Sequence, residues 1–208
     1  MYHVHGTSIS SNTTKVLYVA EELGIDYEYT NVNLPKGEHK SPEHLKRHPL
    51  GKLPTLTHDD KTLFESGAIC RYLAAVEKSE LYPQELYARA VVDQWMNFFT
   101  CHLGKHFNSY AFETVAKERY GLGTPNQEVA SEARGFIDKQ LPIVDARLAD
   151  VPYLAGANIT IADLYAFAYA ENGEMADVPL QSHPAFFAWY QGIKQRPSVT
   201  RAFKRLGR

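Results

Sequence analysis

Cysteine is nearly absent: Cys70 and Cys101 are the only two in 208 residues. They lie too far apart for a CxxC pair or a zinc-ligand spacing, which excludes a disulfide framework and a structural metal of the usual kind. Both read as small buried apolar side chains on helices. No apolar run reaches the roughly 18 to 20 residues that a membrane helix needs. The opening segment, residues 1–8, shows no charged stretch leading into an apolar one, so a cytoplasmic protein is expected. Charge of one sign is also lacking. The 22 Lys and Arg residues face 24 Asp and Glu residues for a net charge of −2, which leaves no cationic surplus for a nucleic-acid backbone. The basic end, Arg201, Lys204, Arg205 and Arg208, reads as a solvated helix face. Finally, no GxxxxGK[ST], GxGxxG or GxSxG motif occurs. The His44/His48 and His102/His106 pairs have metal-compatible spacing but no third ligand, so no metal is expected.

What is present is an ordinary globular composition, 44% hydrophobic and 22% charged, enough for one large or two small domains. Two halves differ in character. Over residues 1–78 short strand-like runs alternate with helical stripes. Residues 2–5 alternate, Val16, Leu17, Val19, Ala20 and Leu23 form a helical face closed by Gly24, and residues 27–32 read as a strand. Residues 53–57 and 62–64 then flank a turn, as in a hairpin, and Ala68, Ile69, Tyr72, Leu73 and Val76 share a helix face. The order β-α-β then β-β-α is that of a thioredoxin-like domain, among other α/β arrangements. Residues 79–86 read as a linker. Residues 87–208 read as an all-helical bundle, with stripes at Ala88, Val91, Val92, Trp95, Phe98 and Phe99 and at Ala130, Ala133, Ile137, Leu141, Val144 and Leu148. Pro142 is expected to kink or break the second of these helices. Thr160 and Asp163 have capping-box spacing ahead of an apolar run, which predicts a buried helix starting at Thr160. Their role is structural, and losing Asp163 is expected to cost about 0.5 to 2 kcal/mol, the usual worth of a cap.

Five blocks of sequence, in order, resemble the cytosolic glutathione transferase superfamily: residues 39–45, 49–56, 62–69, 153–164 and 184–203. The wording of the first three is phi-like, while the thiol loop is similar to bacterial-type members. The resemblance implies a thioredoxin-like glutathione-binding domain, a helical domain that closes a pocket for an electrophile, and a homodimer joined through the helices from Ser66 and Tyr87. It also implies roles for residues. Leu53 and Pro54 form a cis peptide whose preceding backbone pairs with the cysteinyl unit of glutathione. Glu65 and Ser66, at a helix start, hold the γ-glutamyl end. His39 and Lys40 reach the glycyl carboxylate, and Lys52, where phi-class chains typically carry Gln, adds a cation. Lys105, His106 and Tyr110 would wall the electrophile pocket.

The thiolate of glutathione is the nucleophile, and a free thiol near pKa 8.5 is only a few per cent ionised at neutral pH. A thiol-handling enzyme therefore needs hydrogen-bond donors beside the sulfur. The segment between the first strand and the first helix supplies Ser10 and Asn12. By resemblance Ser10 takes the place of the catalytic serine, and Asn12 matches the partner in bacterial members with a Thr-x-Asn arrangement. On residue type alone, Ser10, Ser11 and Asn12 are all good helix N-caps. The leading expectation is conjugation of glutathione, as co-substrate, to a small apolar electrophile in detoxification. Glutathione-dependent reduction of peroxides or disulfides, and a non-catalytic binding module of the same fold, are the alternatives.

Overall fold

A computed structural model describes residues 1–207. Two units are found, one formed by Gln84–Lys194 and the other by the described chain on either side of it.

The first unit begins with β1 (Tyr2–Gly6), α1 (Ser11–Leu23) and β2 (Tyr27–Asn31). A 3₁₀ turn (Glu38–Lys40) and a short helix, α2 (Pro42–Arg47), lead to β3 (Thr55–His58), β4 (Lys61–Phe64) and α3 (Ser66–Val76). The sheet order is β2-β1-β3-β4, with β1 parallel to β2 and antiparallel to β3. This is the thioredoxin-like topology. Val4 on β1 and Leu56 on β3 are cross-strand partners in the core. Every residue from Lys15 to Ala20 of α1 is fully buried, which is why the apolar stripe runs nearly all round this helix. Gly24 stops it in the left-handed conformation (φ 67°) with its N–H on the Ala20 and Glu21 carbonyls, a cap that a glycine adopts at no steric cost.

The chain's last helix, α10, named here ahead of the second unit (Pro197–Leu206), also belongs to this first unit. That differs from the division at residue 87 expected from sequence. The reason is electrostatic as well as apolar. Arg201 Nε donates to Glu21 Oε2 at 2.9 Å and Arg205 Nε to Glu21 Oε1 at 3.1 Å, while Arg205 also lies 4.5 Å over the Tyr27 ring. Arg196 and Ser198 both donate to Glu22, and together these donors hold its carboxyl below the ordinary value against the opposing effect of burial. The basic end is therefore not simply a solvated face: Arg201 and Arg205 clamp α10 onto α1. Arg208 lies outside the described residues.

The second unit holds α4 (Leu86–Cys101), α5 (Leu103–Ala111), a π-helical turn (Phe112–Ala116), α6 (Lys117–Tyr120), α7 (Gln127–Asp150), α8 (Ile161–Met175) and α9 (Pro184–Lys194). Pro142 does not break α7, which runs unbroken for 24 residues. The proline removes one backbone donor, and the buried stripe from Ala130 to Leu148 on both sides of it carries the helix through. Cys70 is buried as expected, but Cys101 is exposed, because it is the last residue of α4, where the chain leaves the packed face. The expected capping box is present: Thr160 caps α8, its hydroxyl accepts from Ala162 N–H, and Asp163 reaches back to Thr160 N–H at 2.9 Å. No helix among the described residues is long and apolar enough to cross a membrane.

Candidate active site

The end of β1, the start of β3 and the end of β4 lie side by side, through His5–Thr55 and Thr55–Phe64 pairing, so the segments that carry Ser10, Pro54 and Glu65 all adjoin one end of the sheet. Between β1 and α1 the chain turns through residues 7–10. Thr7 N–H donates to Thr13 Oγ1, Ser8 N–H to Asn31 Oδ1, and Ser10 N–H to the Thr7 carbonyl, so three donors of the turn are tied down. Ser10 then stands at the N-cap of α1 with extended backbone (φ −102°, ψ 122°), and its carbonyl takes the N–H groups of Thr13 and Thr14. Its hydroxyl makes no capping bond and has no partner among the described residues. An N-cap serine ordinarily spends that oxygen on the helix. Here the hydroxyl remains half-exposed at the positive end of a 13-residue helix, where an anion is favoured. Two residues on, Asn12 is also half-buried, and its Oδ1 accepts from Lys15 Nζ at 2.7 Å.

The segment before β3 is built with equal care. Leu53–Pro54 is a cis peptide. The loop ahead of it is held by two buried histidines: His44 Nε2–H donates to the Lys52 carbonyl at 3.0 Å, and His48 Nδ1 accepts from Leu50 N–H at 3.1 Å. Burial depresses the His48 pKa, in keeping with a neutral ring that accepts at Nδ1; Glu65 opposes that shift, whereas Lys52 and His44 add to it. Lys40 Nζ donates to the Leu50 carbonyl at 3.1 Å. Gly51 lets the two segments meet, for at φ 62° a Cβ there would lie 2.5 Å from the His39 carbonyl oxygen. His39, Lys40 and Lys52 are thus brought onto one loop pair, although the Lys40 ammonium is partly occupied by backbone. His44 and His48 act as supports of this loop. Sequence reasoning weighed them only as a metal pair, and the cue it lacked was their place just before the Leu-Pro segment.

Glu65 and Ser66 stand at the start of α3. Glu65 takes a positive φ of 69° and makes no cap bond, a conformation that costs a non-glycine residue about 1 to 3 kcal/mol and that clusters at functional sites. Ser66 is buried as the first residue of the helix.

Lys105 and His106, from α5, line an open groove of about 320 Å³ within the second unit, together with Cys101, His102 and Phe136. His106 is buried against the Phe136 ring, 4.3 Å between centroids, and that burial lowers its pKa. Tyr110, one turn further, does not line this groove and pairs with Arg134 of α7.

A thioredoxin-like α/β unit with a helical unit inserted before its last helix is the fold class that the structure defines. The comparisons specify it. The glutathione S-transferase N-terminal domain family matches residues 2–75 and the glutathione S-transferase C-terminal domain family matches residues 95–197. Glutathione S-transferase 1 of Zea mays is 36% identical over 206 residues, covering 94% of this chain and 92% of the relative. The structure of maize glutathione S-transferase I in complex with an atrazine–glutathione conjugate is similar, with a TM-score of 0.89 at 35% identity, covering 99% of this chain and 98% of that one. A theta-class glutathione S-transferase from Xanthomonas axonopodis pv. citri with glutathione bound gives 0.86 at 30% identity, covering 97% and 96%. The chain belongs to the glutathione S-transferase family.

Proposed function

We propose that this protein is a glutathione transferase that ionises the glutathione thiol at the Ser10–Asn12 helix start and delivers the sulfur to a small apolar electrophile. In the reacting step the thiolate lone pair forms a bond to an electrophilic carbon. The leaving group departs with its bonding pair, or, in an addition, the electrons move into the activated π-system and are protonated there. Leu53 ahead of cis-Pro54 offers backbone N–H and C=O to the cysteinyl unit. Glu65 and Ser66 take the γ-glutamyl end, and His39, Lys40 and Lys52 take the glycyl carboxylate. Lys105, His106 and Tyr110 are carried over from the resemblance as the polar wall of the electrophile pocket. Catalysis then rests on proximity and on stabilisation of an anion.

The observation that carries this reading is the Ser10 hydroxyl, which sits at a helix start and is not spent on the helix. Lowering a thiol pKa by two units takes about 2.7 kcal/mol, within reach of one or two hydrogen bonds to the anion plus a helix N-terminus. Glutathione-dependent reduction is the second reading, favoured by the Ser-x-Asn arrangement and by an Asn12 amide whose oxygen is already held. Assaying halonitroarenes, isothiocyanates, hydroperoxides and disulfides with glutathione separates the two. Turnover with the first pair is expected; turnover confined to the last pair would assign the reductase role. Retention on glutathione-agarose is expected in either case, and a protein that flows through in native buffer is a binding module instead.

The working form is proposed to be a cytoplasmic homodimer. Leu86 and Tyr87 at the start of α4 are each 78% exposed, an apolar surface consistent with a second copy. Sedimentation at micromolar protein is expected to give twice the chain mass of 23.5 kDa; a monomer mass removes the dimer from the account.

A further inference from the structure

Lys15 is the most unexpected residue of the first unit. It lies on α1 among Val16, Leu17 and Tyr18, and like them it is fully buried. Lysine is almost never fully buried without a partner that needs it. Its backbone is also fixed, since the Cys70 thiol of α3 donates to the Lys15 carbonyl at 3.6 Å, and burial pushes that thiol up to about 12, so it stays neutral. From this position Nζ reaches Asn12, one helical turn back on the same face.

The structure places the carbonyl oxygen of the Asn12 amide against the lysine nitrogen, at 2.7 Å. Lysine carries N–H donors in either protonation state, so this contact uses Asn12 Oδ1 as acceptor, and the Asn12 NH₂ lies on the other side of the amide. Oδ1 is the atom with which an asparagine near a helix start would otherwise cap its own backbone. With Oδ1 held from inside, what remains at the half-exposed end of the side chain is a pair of N–H donors in fixed orientation, two residues from Ser10.

We propose that Lys15 is a positioning residue of the thiolate site: by holding Asn12 Oδ1 from the protein interior, it presents the Asn12 amide N–H to the glutathione sulfur as a second donor beside Ser10. This rests on the glutathione transferase reading and deepens it. It also explains why a polar group whose burial costs so much is kept within an otherwise apolar stripe. The Lys15 pKa is driven well down by burial, and the amine form still carries N–H bonds, one of which serves Oδ1.

The test titrates the thiolate absorbance of glutathione bound to wild type, Lys15→Met, Asn12→Ala and the double variant. Methionine keeps the length and volume of the side chain and removes the donor. The midpoint is expected to rise by about one pH unit in Lys15→Met and by a similar amount in Asn12→Ala. The double variant is expected to rise no further than Asn12→Ala alone, because Lys15 acts through Asn12. Lys15→Arg, which keeps a donor, is expected to recover most of the shift. If Lys15→Met does not fold, Lys15→Leu, which likewise has no donor for Oδ1, takes its place in the same titration. A lowered melting temperature with an unmoved midpoint makes Lys15 a packing residue only and overturns the proposal. So does an Asn12→Ala midpoint equal to wild type while Ser10→Ala shifts, an outcome that leaves the transferase reading standing. A wild-type midpoint no lower than that of free glutathione sinks both.

Discussion

Replacing Asp163 by alanine is expected to destabilise the protein by about 3 to 5 kcal/mol, well beyond the loss of a helix cap. The side chain is fully buried and accepts four hydrogen bonds: Leu154 N–H at 2.9 Å and Trp189 Nε1–H at 3.1 Å on Oδ1, and Thr160 N–H at 2.9 Å and Thr160 O–H at 3.0 Å on Oδ2. It therefore ties three segments of the second unit together: the loop at Leu154, the start of α8 and the middle of α9. Burial raises its pKa while the four donors pull the other way. Removing the carboxylate strands donors that no water reaches, and each stranded donor costs about 1 to 3 kcal/mol. For a chain of this size the melting temperature is expected to fall by about 10 °C or more. Glutathione affinity of the folded fraction stays unchanged, since every partner of Asp163 lies in the second unit. A loss of less than about 1 kcal/mol by denaturant titration would show that the donors find other acceptors.

The largest functional effect is expected from Ser10→Ala. A hydrogen bond to a charged group is worth about 1.5 to 3 kcal/mol, so removing the hydroxyl is expected to raise the midpoint of the bound thiol's ionisation by about one to two units. Near pH 6.5 the conjugation rate follows the thiolate fraction and is expected to fall about tenfold or more. Affinity for glutathione changes less, because the two ends of the peptide are held at Glu65–Ser66 and at the His39–Lys40 loop. Stability is expected to be nearly untouched, because the hydroxyl makes no capping bond to lose. If Asn12→Ala shifts the midpoint more than Ser10→Ala does, the principal donor is Asn12 and the order of the two residues is reversed.

What could be read from sequence follows the range of the interactions. The Gly24 stop, the hairpin around β3 and β4, and the Thr160–Asp163 box are all encoded within a few residues, and each was legible. The thiol loop was legible as chemistry, since hydroxyl and amide donors stand between a strand and a helix, but which of its three capping residues occupies the cap was not. That choice depends on Thr7, Ser8 and Ser10 being tied to Thr13, Asn31 and the Thr7 carbonyl, contacts that span up to 23 positions. Long-range pairings were silent. Arg201 and Arg205 look like a solvated basic face until Glu21, some 180 positions earlier, is placed beneath them. Asp163 announced its cap to Thr160 but not its bonds to Leu154 and Trp189. Pro142 read as a breaker because propensity counts the missing donor and not the buried side chains on either side of it. Lys105, His106 and Tyr110 came from resemblance alone, and the structure brings only the first two onto one groove.

The central claim is that this protein lowers the thiol pKa of glutathione, and the most direct measurement is a pH titration of thiolate absorbance for glutathione saturating the wild-type protein. The expected midpoint lies about two units below the free-thiol value of about 8.5. A midpoint indistinguishable from that of free glutathione would contradict the account.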